Sequence, residues 1–256
     1  MKHFQYQIPG SFGKKKIDID LCVNKSSSSL IILFHGSFGY TRHIKKTKYE
    51  IISRKLSKNC SVGFYQTSRF FEWREKPNLT FEQYRDASFK NKTFRQELDD
   101  VKSAINEIVI QTKRYSKKRN LRITFIGFSL GGIMCLLVQE RFKKVVNIFT
   151  FGTAIEFKKL ETNSSIVKDV PTKNKLKEKI QKFNGNLTLV RGTKDDLADF
   201  RNMSEIYKSA RNAQLRTLIE LKGVDHQFKT INGVNRERKL ITWIENLIKK
   251  GGEKNE

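Results

Sequence analysis

At 256 residues the chain is long enough to bury its own core and short for two domains, and 38% hydrophobic residues, nineteen Phe among them, exclude a disordered polymer. Its 51 Lys and Arg stand against 26 Asp and Glu, a net charge of +25, which brings nucleic acid, membrane surfaces and acidic substrates into consideration. The basic residues are spread along the whole chain, however, so the charge reads as a compositional habit with at most a weak attraction to anionic surfaces, and no motif for specific nucleic-acid recognition accompanies it.

Three cysteines, Cys22, Cys60 and Cys135, are odd in number and lack metal-ligand spacing. They suit a reducing compartment, and neither a metal nor another cofactor is expected. The chain opens without a signal-like apolar run, and no stretch approaches the length of a membrane span; the expectation is a soluble, cytoplasmic protein.

Two alternating segments come first, at residues 4–8 and 17–23, and both read as edge strands. Residues 30–34 then form a continuous apolar run of strand length, as expected of a strand covered on both faces. Runs of the same kind recur at 61–65, 121–126, 145–151, 187–190 and 217–221. Helical periodicity lies between them: 94–110, with its stripe of Phe94, Leu98, Val101, Ile105, Ile108 and Val109 and charges opposite, then 131–141, 200–211 and 235–248. Strands alternating with helices predict one α/β domain spanning residues 1–256, a mostly parallel sheet with helices on both sides. Two segments exceed a minimal alternation: aromatic 66–89 and Lys-rich 153–182. Either is a lid or a surface excursion. The lysines of the second, including Lys173, Lys175, Lys177, Lys179 and Lys182, read as a solvated helical face.

The chemistry concentrates at strand ends. Residues 121–126 run into Gly127-Phe128-Ser129-Leu130-Gly131-Gly132 and then into an apolar helix. Such a strand-to-helix turn forces its central serine into a strained conformation and thrusts the hydroxyl out of the sheet. The helix that follows aims the positive end of its dipole at the site, where it favours an oxyanion. A serine nucleophile needs a base, and the base needs an orienting acid. Asp195 follows the strand at 187–190 within Arg191-Gly192-Thr193-Lys194-Asp195-Asp196; Asp196 and Asp199 are alternatives for the acid. His226 follows the strand at 217–221 within Gly223-Val224-Asp225-His226-Gln227-Phe228. In a parallel sheet the C-terminal ends of the strands share one edge, which brings Ser129, Asp195 and His226 together despite their separation. One oxyanion-hole amide is expected from Leu130 and the other from the His35-Gly36-Ser37 loop after the first buried strand, where His35 braces the loop and is not the base.

With His35-Gly36-Ser37, Gly127-Phe128-Ser129-Leu130-Gly131, Gly192-Thr193-Lys194-Asp195 and the segment around His226 in this order, the chain resembles the α/β-hydrolase superfamily from about residue 30 to 248. The resemblance implies an eight-stranded sheet whose second strand is antiparallel, with the loop amide supplied by Ser37. Gln66-Thr67-Ser68-Arg69 stands where the epoxide-hydrolase and haloalkane-dehalogenase branches carry Asp-x-Arg-Gly-x-Gly, and the early loop is not the His-Gly-Gly-Gly of hormone-sensitive-lipase-like esterases. The residues from 153 to 182 leave room for at most a small lid. The activity so implied is hydrolysis of a small acyl substrate, a carboxylic ester first, with a thioester or an acylaminopeptidase-like amide substrate, or a non-catalytic scaffold, as alternatives.

Overall fold

A computed structural model of the chain describes residues 1–37, 47–70, 78–155, 169–228, 242 and 244–246. Its eight strands are β1 (Lys2–Pro9), β2 (Lys16–Val23), β3 (Ser29–Phe34), β4 (Ser61–Gln66), β5 (Arg122–Phe128), β6 (Val145–Phe151), β7 (Asn186–Gly192) and β8 (Leu215–Leu221). They form one sheet in the order β1-β2-β4-β3-β5-β6-β7-β8. From β4 across to β8 every pairing is parallel, while β2 runs antiparallel to both of its neighbours, β1 and β4. The helices are α1 (Lys48–Leu56), α2 (Phe81–Phe89), α3 (Phe94–Ser116), α4 (Leu130–Val138), α5 (Lys173–Gln181) and α6 (Phe200–Ser209).

The unbroken apolar runs follow from the layering. Successive side chains of a strand point to opposite faces, so a sheet covered on both sides needs apolar residues at consecutive positions. In β3, Leu30, Ile32 and Phe34 enter the core beneath α3, α4, α5 and α6, whereas Ile31 and Leu33 enter a second core with Tyr49, Ile52 and Leu56 of α1 and with Ile244. β5 divides in the same way, Ile123 and Phe125 to the first core and Ile126 and Phe128 to the second. Truncating a residue such as Phe125, which is fully buried, to Ala would cost about 3–5 kcal/mol.

β2 is not the edge strand its alternation predicts, since β1 pairs with it along its full length and β4 covers its other side. Alternation reports that one face is less covered, not that a backbone edge is free. Thr47, Thr80 and Thr93 cap α1, α2 and α3 with their side chains, and the last two form capping boxes with Gln83 and Gln96. α5 shows only Leu176 and Ile180 as buried positions among its lysines, and these one-turn neighbours seat it in the first core. Its lysines are more engaged than a solvated face implies: Lys173 and Lys177 pair with Glu205 of α6 at 2.7 and 3.0 Å, and Lys179 and Lys182 pair with Glu140.

Within the segment expected to be a lid or excursion, Thr153 and Ile155 are buried and residues 173–181 belong to the helical layer. Asp169 receives the backbone N–H of Phe94 at 2.5 Å and so caps the start of α3. Residues 156–168 lie outside the described residues, as does most of the helix expected at 235–248, of which 242 and 244–246 are helical. Among the described residues, no helix is long and apolar enough to cross a membrane.

Candidate active site

β5 ends at Phe128 and α4 begins at Leu130, so Ser129 alone makes the turn, at φ 51° and ψ −119°. For a residue with a β-carbon this conformation costs about 1–3 kcal/mol and must be imposed by its surroundings. Here the Ser129 N–H donates to the Phe151 carbonyl at 2.8 Å, and the Ser129 carbonyl accepts from the Gly132 N–H at 2.9 Å and from the Thr153 hydroxyl at 3.2 Å. The flanking glycines let backbones meet. A β-carbon on Gly131 would stand 2.5 Å from the Phe34 carbonyl oxygen, and one on Gly127 would stand 2.5 Å from that of Gly131. The elbow is thereby locked against the end of β3.

The residues predicted at the neighbouring strand ends converge on this serine. His226 Nε2 lies 3.1 Å from Ser129 Oγ, and His226 Nδ1 lies 2.9 Å from each Asp195 carboxylate oxygen. Asp195 is buried, and its Oδ1 also accepts the backbone N–H groups of Leu197 and Ala198 at 3.0 and 2.9 Å, so its orientation is fixed from the β7–α6 connection. His226 keeps a quarter of its side chain exposed, at 25%. Of the other candidate acids, Asp199 caps α6 by accepting the Asn202 N–H at 2.7 Å, and Asp196 is exposed. With Nδ1 facing a carboxylate and Nε2 facing a hydroxyl, the imidazole is arranged to take a proton from oxygen while its other nitrogen stays protonated.

Gly152, at the end of β6 with φ +59°, sits under this pair, where a β-carbon would come within 2.9 Å of Asp195 Oδ2 and 3.1 Å of His226 Nδ1. No side chain fits there.

The loop after β3 lies alongside. A β-carbon on Gly36 would be 3.3 Å from Ser129 Cβ, which places the Gly36–Ser37 peptide next to the elbow. Its groups are held by side chains: the Gly36 N–H donates to the Tyr49 hydroxyl at 3.2 Å, and the Gly36 carbonyl accepts from His35 Nδ1 at 2.8 Å. His35 Nε2 accepts the Thr67 N–H at 3.4 Å. Burial, reinforced by the neighbouring Arg69 charge, pushes the His35 pKa down to about 4, so the ring is neutral near pH 7. It braces the loop.

Beneath the loop lies a buried cluster of charge. Arg69, Lys92, Glu97 and Asp100 are each no more than 1% exposed. Arg69 Nε donates to Glu97 at 3.1 Å, Lys92 donates to Asp100 at 2.6 Å, and Thr67 and Ser68 donate their hydroxyls to Glu97 and Asp100. Burial opposes ionisation of both carboxyls, but the cations and donors around them outweigh it and hold each below its ordinary range. The periodicity of α3 had placed its charges opposite the apolar stripe. Glu97 and Asp100 instead share the buried face, one turn apart from Val101 and Ala104, because two cations meet them there, Arg69 from just after β4 and Lys92 from just before α3. Among the described residues, no group of three or more His, Cys, Asp and Glu side chains is placed to hold a metal ion.

Strand order, the antiparallel β2 and the sharp β5–α4 elbow together define the α/β-hydrolase fold. Solved structures share it across nearly the whole chain. An esterase domain from Rhodothermus marinus is similar with a TM-score of 0.60 at 15% identity over 95% of this chain and 98% of that one. An esterase from Pyrococcus furiosus gives a TM-score of 0.65 at 12% identity over 96% and 90%. A serine hydrolase without a lid from Xanthomonas campestris gives 0.58 at 12% identity over 99% and 95%. No protein-family model matches the sequence, and no curated protein matches it.

Proposed function

We propose that the protein is a serine hydrolase that cleaves a carboxylic ester through an acyl-enzyme intermediate. The observation that carries this reading is the continuous hydrogen-bonded chain from Ser129 Oγ through His226 to Asp195, with spacings of 3.1 and 2.9 Å. Residues that merely packed together would have no need of a strained serine at its head.

In this mechanism His226 Nε2 takes the proton of Ser129 as Oγ attacks the ester carbonyl carbon. The amides of Ser37 and Leu130 hold the oxygen that becomes negative, a contribution of about 3–4 kcal/mol per donor in comparable sites. Collapse of the tetrahedral intermediate breaks the bond to the alkoxy oxygen, and His226 gives its proton to the departing alcohol. Water then attacks the acyl-serine, passing a proton to His226. The second collapse returns that proton to Ser129 Oγ and releases the carboxylic acid. Asp195 holds the ring in the required tautomer and stabilises the imidazolium formed in each half. The reaction draws on these side chains and on a small acyl substrate; the cleaved bond is taken as an ester because the fold neighbours described as esterases share the whole domain.

The test is turnover of p-nitrophenyl acetate and butyrate by the wild type and by Ser129→Ala. The variant should retain the circular dichroism spectrum and lose turnover. Undiminished hydrolysis in Ser129→Ala would sink the reading.

A further inference from the structure

The guanidinium of Arg69 reaches four neighbours at once. Nε donates to Glu97 Oε1 at 3.1 Å, Nη1 to Ser88 Oγ at 3.1 Å, and Nη2 to the Ser37 carbonyl at 2.7 Å, with the Gly36 carbonyl at 3.5 Å. Its planar face stacks on the rings of Phe70 and Phe89, 3.7 and 4.1 Å from their centroids. The Nη2 contacts reach out of the cluster into the loop beside Ser129.

Peptide planarity gives those contacts a consequence. The Gly36 carbonyl and the Ser37 N–H belong to one trans peptide unit, so they point in opposite directions. The carbonyl is turned toward His35 Nδ1 and Arg69 Nη2, and the next carbonyl, that of Ser37, is fixed by Arg69 as well. Two consecutive carbonyls are thus drawn toward the buried Arg69 guanidinium, which turns the Ser37 N–H away from it. A guanidinium suits the task because its donors form a rigid fork, and a buried charge already committed to Glu97 cannot swing elsewhere.

We propose that Arg69 is a positioning residue for acyl transfer: it clamps the Gly36–Ser37 backbone so that the Ser37 amide is preset for the oxyanion. The proposal rests on the serine-hydrolase reading above. It separates binding from catalysis, because a loosened oxyanion hole weakens the transition state while leaving ground-state affinity alone.

The experiment compares the wild type with two variants. Arg69→Met combined with Glu97→Gln removes one positive and one negative charge together, leaving the Lys92–Asp100 pair intact, so no buried charge is stranded. Arg69→Lys keeps the charge but has a single ammonium where the fork spans Glu97 and Ser37. Three quantities are read: thermal unfolding, the second-order rate of labelling by a fluorophosphonate, and kcat and KM on p-nitrophenyl acetate. Folded variants should label about tenfold or more slowly, with kcat falling in proportion and KM within twofold of the wild type. A folded variant with wild-type labelling and kcat, or one whose loss lies in KM alone, overturns the positioning role. Failure of both variants to fold also overturns it, since Arg69 would then be architecture only. A wild type that does not label at Ser129 contradicts the underlying hydrolase reading instead.

Discussion

Gly152 supports Asp195 by what it lacks: a β-carbon at that position would stand 2.9 Å from the Asp195 carboxylate, inside van der Waals contact. The backbone there is also left-handed, at φ +59°, and its N–H is held by the Val190 carbonyl at 2.8 Å, so it cannot shift to make room. Gly152→Ala should therefore push the carboxylate and imidazole apart, lowering kcat for an activated ester by about 10- to 100-fold. It should also destabilise the fold by about 1 kcal/mol or more, because a β-carbon is disfavoured at positive φ. Steady-state kinetics and urea unfolding check both; wild-type kcat in the folded variant would contradict the geometry.

Ser129 presents its hydroxyl to His226 from a strained backbone, at φ 51° and ψ −119°. Ser129→Ala and Ser129→Gly both remove the hydroxyl, but only glycine adopts this conformation without a β-carbon clash. The expected result of paired unfolding titrations is that Ser129→Gly exceeds Ser129→Ala in stability by about 1 kcal/mol. Equal stabilities, or the reverse order, would mean that the elbow is unstrained.

Asp195→Asn keeps the size of the side chain and the acceptor for the Leu197 and Ala198 amides, while presenting N–H to the imidazole. An amide N–H facing His226 Nδ1 favours the tautomer with its proton on Nε2, where the ring cannot take one from Ser129. A fall in kcat of about 10³- to 10⁴-fold is expected. Full activity in Asp195→Asn but not in Asp196→Asn would reassign the acid.

His35 gives stability a pH signature. Its folded pKa is lowered from 6.5 to about 4, so between those values the unfolded chain binds the proton and the folded chain does not. Stability is then complete above about pH 6.5 and is lost as the pH falls toward 4, with a slope of up to about 1.4 kcal/mol per pH unit. Glu97 and Asp100, both held below their ordinary values, add losses at lower pH, as protons begin to bind the unfolded carboxylates. Urea unfolding from pH 7.5 to 4.5 should show a shallower slope in His35→Asn than in the wild type, and identical slopes would contradict the assignment.

What the sequence revealed and what it withheld divide along a physical line. Strands β3 to β7 announced themselves because burial on both faces requires consecutive apolar residues, as in 30–34 and 187–190, and β1 and β2 did so by alternation. Ser129, Asp195 and His226 were legible because a parallel sheet delivers its strand ends to one edge, whatever lies between them. The support beneath them was not. Gly152 and Thr153 matter through contacts with residues more than twenty positions away, and neither has a distinctive neighbour in sequence. Arg69 was visible within Gln66-Thr67-Ser68-Arg69, but its partners Glu97 and Ser88 lie on other elements, so nothing local marked it as buried. The spacing of Glu97 and Asp100, three apart and interleaved with the stripe at Val101 and Ala104, was the available signal, since it put them on the packed face.

The account turns on Ser129 as the nucleophile, and the most direct measurement is the site of covalent labelling by a fluorophosphonate, read by mass spectrometry of the digested protein. A single adduct on the peptide containing Ser129, absent from Ser129→Ala and strongly slowed in His226→Ala, is the result expected. No adduct on the native protein, or an adduct on another residue that persists in Ser129→Ala, would contradict it.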